Sequence, residues 1–417
     1  METADGLMTE TLKPETDEQV LDAVKWAASG KTPLAVRGRG SKDGFGRPVE
    51  AGHCLDLSAL SGIEAYEPNE LYMTARASTP MAEIEAALGQ NNQHMAFEPP
   101  DLGRLYGNQG GTIGGAIACN LAGPRRIQAG AARDHFLGFN AVSGRGEVFK
   151  SGGTVVKNVT GFDLSKLLAG SFGTLAVMTA VTFKVMPAAE KTRTVLVLGL
   201  DDGEGTTGAM QAMSTALGSS NEVSAAAHLP ESAAALSGVS YVSGAGKAVT
   251  AVRVEGPGPS VQHRCRALRE LLGDLGETEE LHSENSAALW REIRDAGAFL
   301  DGDDPDGGDV WRLSVPPTDG ARVVQAILAE TGGRVFYDWG GGLVWLSVAA
   351  NAGHEKIRAA VAATGGHATL IRAPADVRAT VAVFEPQPGA LGELSARVKS
   401  AFDPNAILNP GRMVEGV

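Results

Sequence analysis

The sequence of 417 residues has a formal net charge of -13, which disfavours nucleic acid and anionic membranes as partners because both require a basic face. Its three cysteines (Cys54, Cys119 and Cys265) form no C-x-x-C pair, so it encodes neither a disulfide framework nor an iron–sulfur cluster. No apolar run approaches the ~18 residues that a membrane span needs, and the acidic N-terminus is unlike a signal peptide, so we expect a cytoplasmic protein of two or three domains.

The first predicted element is a helix that begins after Thr16, with Gln19 as its capping-box partner and Gly30 as its terminator. Four strand-like segments follow, and a second helix that starts at Thr79 and Pro80 directs Met81, Ile84 and Leu88 inward. The strands are predicted at Leu34 to Arg37, His53 to Leu57, Ile63 to Tyr66 and Leu71 to Ala77. These elements predict a small α+β unit.

The loop after the first of these strands, residues 36–48, is rich in glycine and in positive charge. Its glycines are Gly38, Gly40, Gly44 and Gly46, and its cations include Arg37, Arg39 and Lys42. Glycines can turn the backbone with positive φ and bring bare amides up to an anion. The loop therefore suits the pyrophosphate of a dinucleotide, although a glycine-rich hairpin with solvated arginines is the alternative.

Two other nucleotide motifs are excluded by their context. Gly38 to Asp43 begins like a Rossmann fingerprint, but Asp43 replaces the third glycine and no helical run follows. Gly30 to Thr32 resembles the end of a Walker A motif, yet Lys25 stands where its first glycine is required.

A second run of small residues extends from Gly110 to Gly123, after a stiff proline turn at Phe97 to Asp101. Its small side chains leave room for a large ligand on the backbone, and close helix or strand packing is the alternative. A hairpin (Phe136 to Ser143 with Glu147 to Lys150), a short helix capped by Asp163 and a long strand from Ala176 to Val185 are predicted next.

Residues 188–390 are predicted to form a separate α+β module whose order of elements is partly repeated, and this order predicts an antiparallel sheet with helices on one face. One of these helices begins at Pro259 and carries Val261, Cys265, Leu268 and Leu272 on one face. The acidic stretch Asp301 to Asp309 resembles a calcium loop, but its twelfth position is Arg312 rather than Glu. We therefore expect a solvated loop there and no metal site.

The chain resembles the FAD-linked oxidases of the vanillyl-alcohol-oxidase superfamily over residues 15–187 and the last fifteen or so. The resemblance lies in an ordered set of motifs: Arg37 to Lys42, Glu98 to Asp101, Thr112 to Gly123, Gly130 to Asp134, Lys157 to Leu164, Gly170 to Leu175 and Phe402 to Arg412. Within the superfamily it is most similar to the FAD-binding subunits of glycolate oxidase, through Gly40 to Asp43, Phe97 to Pro100, Gly123 to Arg126 and Tyr337 to Gly342.

The resemblance implies an α+β fold with a two-part FAD-binding domain of the vanillyl-alcohol-oxidase type (residues 1–187 and a C-terminal segment, 391–417) and an antiparallel-sheet α+β cap domain (188–390). It implies that Gly38, Gly40 and Ser41 contact the FAD pyrophosphate, with Arg37, Arg39 and Lys42 beside it. The flavin and ribityl chain would lie on Pro100, Thr112, Gly114, Gly115, Ala118 and Asn120, and the adenosine end on Gly173, Thr174 and Val181.

The sequence departs from the superfamily motifs at several positions that bear on how FAD is bound. Ser41 and Lys42 occupy the loop in which covalent members carry a histidine, so we expect noncovalent FAD, with Cys119 as a small buried residue. Phe172 stands where many relatives carry Glu and Ala176 where they carry Gly, which weakens the mapping of the adenosine end.

Four residues of the second half are the catalytic candidates. Oxidation of a 2-hydroxy acid requires a base for the hydroxyl proton and a cation for the carboxylate. The candidates are His367, Arg372, Tyr337 and Trp339, which could equally be an exposed histidine and residues of the hairpin core. The histidines form no metal-binding cluster.

The resemblance and the missing cluster ligands together predict the FAD-binding subunit of a glycolate oxidase (glycolate dehydrogenase) complex. It would take part in oxidising glycolate, a small 2-hydroxy acid, to glyoxylate beside a catalytic flavoprotein subunit and an iron–sulfur subunit. It would be cytoplasmic, peripheral to the inner membrane through these partners. The alternatives are an independent FAD oxidase of another hydroxy acid or sugar acid, and a non-catalytic FAD-binding scaffold.

Overall fold

The computed structural model describes residues 10–108, 110–155, 161–201, 208–300 and 308–415. Most of the acidic stretch Asp301 to Asp309 and part of the motif Lys157 to Leu164 lie outside these ranges. No helix within the ranges is both long and apolar enough to cross a membrane.

Strands make up much of the described chain. They are, in order, β1 (Glu10–Leu12), β2 (Leu34–Arg37), β3 (His53–Asp56), β4 (Ile63–Glu67), β5 (Tyr72–Arg76), β6 (Gln93–His94), β7 (Phe136–Ser143), β8 (Val148–Gly152), β9 (Ala176–Lys184), β10 (Met186–Pro187), β11 (Lys191–Leu198), β12 (Ala225–Leu229), β13 (Val249–Gly256), β14 (Glu277–Leu281), β15 (Asp309–Ser314), β16 (Arg334–Asp338), β17 (Leu343–Val348) and β18 (His367–Arg372).

Helices connect these strands, together with short 3-10 turns at Leu102–Tyr106, Gly297–Phe299, Pro317–Asp319 and Trp339–Gly341. The helices are α1 (Asp17–Gly30), α2 (Met81–Gly89), α3 (Ile113–Ala118), α4 (Arg126–Ala129), α5 (Ala132–His135), α6 (Leu164–Leu168), α7 (Ala209–Leu217), α8 (Glu231–Ala234), α9 (Ser240–Ser243), α10 (Gly258–Leu272), α11 (Ser283–Arg294), α12 (Gly320–Thr331), α13 (His354–Ala362), α14 (Ala375–Thr380) and α15 (Ala390–Phe402).

The chain divides into two compact units, and neither is continuous in sequence. The first unit comprises residues 1–122, 130–188 and 378–417. The second comprises residues 123–129 and 189–377. A seven-residue segment that is flanked by the first unit on both sides along the chain therefore belongs to the second.

Helix α1 shows how local sequence determines local structure in the first unit. The hydroxyl of Thr16 accepts a hydrogen bond from the backbone N–H of Gln19 at 3.3 Å, as the capping motif predicts. Its apolar face is buried at Val20, Val24 and Ala27. The helix ends at Lys31 in the left-handed conformation (φ 51°), so the predicted terminator, Gly30, is instead the last helical residue.

Two main sheets build the first unit. A parallel sheet has the order β1-β3-β2, and an antiparallel sheet has the order β4-β5-β9-β7-β8. The C-terminal segment joins the parallel sheet, since Leu34 donates its backbone N–H to the carbonyl of Ile407 at 2.7 Å and bridges Leu408. The glycine loop connects β2 to β3 and therefore lies at the end of a sheet that the C-terminus extends.

The second unit is built on one eight-stranded sheet with the order β14-β11-β13-β12-β16-β17-β15-β18, whose recorded strand pairs are all antiparallel. Helix α10 buries Val261, Cys265, Leu268 and Leu272 against it, as their spacing predicts. Strand β14 and helix α11 are not predicted from the sequence. Strand β14 lies at the edge of the sheet and reads Glu-Thr-Glu-Glu-Leu, so it lacks the apolar alternation by which a strand is recognised.

Candidate functional site

The glycine loop of the first unit forms one wall of an open cleft. Gly40 adopts a φ of 73°, and a Cβ atom there would lie 2.9 Å from the carboxylate of Asp43. The turn closes on itself through a hydrogen bond from the Asp43 N–H to the Gly40 carbonyl at 3.2 Å. The backbone can make this tight turn because residue 40 has no side chain.

The second glycine run lines the same cleft through Thr112 and helix α3. Thr112 caps this helix and accepts a hydrogen bond from the Gly115 N–H at 3.2 Å. A Cβ atom at Gly114 would lie 2.6 Å from the carbonyl oxygen of Ala77, and one at Gly38 would lie 3.1 Å from the Thr112 hydroxyl oxygen. Close packing, which is the alternative interpretation of this run, thus explains Gly114. The close approach of Gly38 to Thr112 brings the two glycine segments together.

Positive charge surrounds the cleft. Arg37 forms an ion pair with Asp43 at 3.3 Å, and the guanidinium of Arg412 donates to the carbonyl of Lys42 at 2.8 Å. The ammonium of Lys42 lies 3.3 Å from the hydroxyl of Ser41. Arg39 is exposed and has no polar partner in the part of the chain that the structure describes. The described lining thus holds four cations and one carboxylate, Asp43, which suits a doubly charged anion such as a pyrophosphate.

Most of the residues that the sequence assigns to FAD line this one cleft. They are Arg37, Gly38, Arg39, Gly40, Ser41, Lys42, Thr112, Gly114, Gly115, Ala118 and Gly173. Its lining also contains residues that the sequence analysis did not assign: Val36, Asp43, Leu57, Ala77, Ser78, Cys119, Phe172, Ala176, Val177, Met178, Asn409 and Arg412.

Four assigned residues lie outside the lining. Val181 is fully buried in the core on β9, and Pro100 is buried in its turn. The hydroxyl of Thr174 donates to the carbonyl of Ser171 at 2.7 Å. The side-chain oxygen of Asn120 accepts from the N–H of Arg133 at 3.0 Å.

Asn409 is the most informative residue that sequence reasoning did not single out. Its side-chain oxygen accepts from the backbone N–H of Val36 at 2.7 Å, and its amide nitrogen donates to the carbonyl of Phe172 at 2.8 Å. It thereby joins β2, the turn before β9 and the C-terminal segment at the cleft. The tail motif contained Asn409, but a contact between residues 373 positions apart has no local signal.

Cys119 also lines the cleft. Burial raises the pKa of the Cys119 thiol, against the opposing charges of Lys42 and Arg412. The side chain is therefore a neutral thiol at neutral pH, which disfavours it as a nucleophile.

The four catalytic candidates lie in the second unit and differ in their surroundings. Tyr337 is fully buried in the sheet, whereas His367 is exposed at the start of β18. Arg372 donates to the carbonyls of Gly308 and Phe299 at distances of 3.1 to 3.3 Å, as a structural arginine does. Trp339 is partly exposed and lies against the guanidinium groups of Arg126 and Arg312.

Comparisons with known proteins agree with the assignment of this cleft to FAD. Residues 10–152 match a protein family described as FAD binding domain. The chain is 34% identical to glycolate oxidase subunit GlcE of Escherichia coli (strain K12) over 397 residues, which are 95% of this chain and 97% of that protein. It is 32% identical to a D-lactate dehydrogenase of Archaeoglobus fulgidus over 177 residues, 42% of this chain and 38% of that protein.

Solved structures share the fold. The crystal structure of p-cresol methylhydroxylase with substrate bound superposes with a TM-score of 0.72 at 16% identity, covering 99% of this chain and 92% of that one. An alkyldihydroxyacetonephosphate synthase gives a TM-score of 0.68 at 15% identity, over 96% of this chain and 76% of that one. At these identities the likeness concerns the fold alone.

Proposed function

The chain belongs to the family of FAD-linked oxidoreductases that includes the glycolate oxidase subunit GlcE, and we propose that it is the FAD-binding subunit of a complex that oxidises glycolate to glyoxylate. The observation that carries the proposal is the cleft of the first unit, where two glycine segments and a ring of cations meet. Relatives that act on small hydroxy acids support the choice of substrate class.

The residues of the cleft fit FAD in shape and charge. A side chain at Gly38 or Gly115 would crowd the Thr112 hydroxyl at 3.1 Å, so the cleft depends on bare backbone at these positions. Backbone amides around Gly40, with Arg39 and Lys42, would hold the pyrophosphate. Helix α3 and Thr112 would hold the flavin. When bound, FAD would accept the two electrons that are removed from the hydroxyl-bearing carbon of the substrate.

Noncovalent attachment is part of the proposal. The glycine loop offers Ser41 and Lys42 rather than a histidine, and Cys119 is held as a neutral thiol. The cofactor would then be held by hydrogen bonds, charge and burial, and it would leave the protein when the chain unfolds. The proposal assigns FAD binding to residues 1–187 and 391–417 and the cap to residues 188–390, although the compact units place residues 123–129 with the second unit and residues 378–390 with the first.

Partner subunits complete the proposed activity. The three cysteines are scattered along the sequence, so this chain would pass electrons to an iron–sulfur subunit and work beside a catalytic flavoprotein subunit. Its acidic surface would keep it off anionic lipid, and these partners would hold it at the inner membrane from the cytoplasmic side.

The visible spectrum of the purified chain tests the first part of the proposal. We expect the absorption bands of oxidised flavin, and we expect acid precipitation to leave the yellow colour in the supernatant. Colour retained in the pellet would overturn noncovalent attachment, and a colourless protein that takes up no added FAD would overturn the function.

The assembled complex tests the second part. Glycolate added anaerobically should bleach the flavin bands of the complex, and Gly40→Val in this chain should remove its share of the FAD and lower the turnover of a dye acceptor. Full turnover by the complex without FAD in this chain would instead assign it a scaffold role. Full turnover by this chain alone would show that it needs no partner.

A further inference from the structure

Two arginines of the second unit converge on one tryptophan. The guanidinium carbon of Arg126 lies 4.9 Å from the centroid of the Trp339 ring, and that of Arg312 lies 5.0 Å from it. All three side chains are partly exposed, so a small solute can reach them. Cation–π contacts are favourable at these distances, but they leave the N–H donors of both guanidinium groups free for another partner.

Neighbouring arginines are occupied, and these two are not. Arg125 donates two hydrogen bonds to Glu255, and Arg253 donates to Ser224. Over the described ranges, neither Arg126 nor Arg312 has a hydrogen bond or an ion pair with the protein. Guanidinium groups that are drawn together without a carboxylate between them leave a local excess of positive charge.

The electrostatics of Arg312 agree with this excess. Burial and the charge of Arg126 together lower the pKa of Arg312 to about 10, against the opposing carboxylate of Asp338. Asp338 is itself buried and accepts a hydrogen bond from the Trp339 N–H at 2.7 Å. Among the described residues, the carboxylate that acts on Arg312 is therefore already engaged, and an added anion would relieve the repulsion between the arginines.

The three residues are held in place by the fold. The indole N–H of Trp339 donates to the carbonyl of Gly123 at 3.0 Å, three residues before Arg126. Arg312 lies in β15, paired with Trp345 of β17 on one side and Thr369 of β18 on the other. Preorganised donors lose less entropy when a ligand binds.

We propose that Arg126 and Arg312 form the binding site for the carboxylate of a small hydroxy acid, with the indole of Trp339 as the surface on which the acid lies. The inference rests on the proposed function for the identity of the acid. Guanidinium groups match the planar, two-oxygen geometry of a carboxylate, and the flat indole offers an apolar surface to a short carbon chain. Inorganic phosphate is also an anion, so the experiment compares the binding of carboxylates with that of phosphate.

Calorimetric titration of the FAD-loaded chain with sodium oxalate, sodium glycolate and inorganic phosphate tests the proposal. We expect both carboxylates to bind more tightly than phosphate. Arg126→Met and Arg312→Met should each weaken oxalate binding about 10- to 100-fold, the usual effect of losing a hydrogen bond to a charged group. Arg312→Lys should recover only part of the loss, because an ammonium lacks the planar pair of donors.

The matched control is Arg322→Met, which removes a surface guanidinium that pairs with Asp319 at 2.6 Å. It should bind oxalate like the parent chain. Trp339→Phe, which keeps an aromatic surface, should weaken oxalate binding less than either arginine variant. This variant provides a second test of the site if an arginine variant fails to fold. Equal affinity for oxalate in the parent and all variants, or a preference for phosphate, would overturn the site.

Flavin absorbance keeps this test separate from that of the proposed function. A chain that holds FAD but binds no carboxylate refutes the arginine site and leaves the function standing. A chain that binds oxalate through Arg126 and Arg312 but takes up no FAD supports the site and refutes the function.

Discussion

The guanidinium of Arg125 donates two hydrogen bonds to the carboxylate of Glu255, from Nε at 3.0 Å and from Nη2 at 2.7 Å. The pair joins residues 123–129 to β13 across 130 positions of sequence and explains why this short segment belongs to the second unit. Arg253 lies 3.6 Å from the same carboxylate, so Glu255 faces two cations in a largely buried position.

Acid should weaken the fold through Glu255. Burial alone would raise the pKa of Glu255, but Arg253 and Arg125 outweigh it and hold the pKa well below the ordinary 4.5. A carboxylate with a lowered pKa stabilises the fold above its unfolded-state pKa, and this contribution is lost as the pH falls toward the folded-state value. We expect the free energy of unfolding in urea to fall between pH 6 and roughly pH 3.

Glu255→Gln should lower the free energy of unfolding at pH 7 by roughly 3 kcal/mol, because it leaves two buried cations without their carboxylate. The variant should also flatten the acid dependence. Glu279→Gln, an exposed carboxylate in β14, is the matched control and should change neither quantity. A Glu255→Gln variant with the same acid dependence as the parent would show that other carboxylates dominate.

Asn409→Ala should loosen the cleft. The substitution removes the acceptor of the Val36 N–H and the donor to Phe172, so we expect a loss of about 1–3 kcal/mol in the free energy of unfolding and weaker FAD binding. Asn405→Ala is the control, since the side-chain nitrogen of Asn405 makes one longer hydrogen bond, to Ala28 at 3.2 Å. Equal FAD affinity in both variants would show that the C-terminal segment does not shape the site.

Alkylation should report on the three thiols, of which Cys54 and Cys265 are buried and Cys119 is partly exposed in the cleft. Burial raises the pKa of Cys54 and of Cys119, and burial with the nearby Glu280 raises the pKa of Cys265 to about 12. Few of these thiols are thiolates at pH 8, so iodoacetamide should label the folded chain far more slowly than the urea-unfolded chain. Peptide mass spectrometry should also find Cys119 labelled faster without FAD than with it. Equal labelling of Cys119 in both forms would place the flavin elsewhere.

The sequence predicted those features whose signal is local. The capping pair Thr16 and Gln19 and the apolar face of α10 lie within a few turns of one helix, and both are confirmed. The family and the fold class, inferred from an ordered set of motifs, are confirmed by the comparisons. Motifs kept in order over hundreds of residues carry more information than any one glycine loop.

Features that depend on distant parts of the chain had no such signal. The Arg126, Arg312 and Trp339 cluster unites three segments that only the sheet of the second unit brings together. Phe172 was an apparent departure from the family pattern, yet it lines the cleft and packs its ring edge-on against Phe45 with centroids 5.0 Å apart. A single sequence cannot show that Phe172, just before β9, packs against an aromatic residue of the glycine loop.

Gly114→Ala tests whether the cleft depends on bare backbone. The added methyl would lie 2.6 Å from the carbonyl oxygen of Ala77, which already accepts the Gly114 N–H at 2.8 Å, so α3 must move away. We expect a loss of about 1–3 kcal/mol in the free energy of unfolding and a lower affinity for FAD, measured by flavin fluorescence. Gly89→Ala adds the same methyl at the end of α2, with no heavy atom within 4 Å, and should be neutral or slightly stabilising. If the two variants bind FAD equally well, α3 can shift without harm, and the glycine at position 114 serves packing rather than the cofactor.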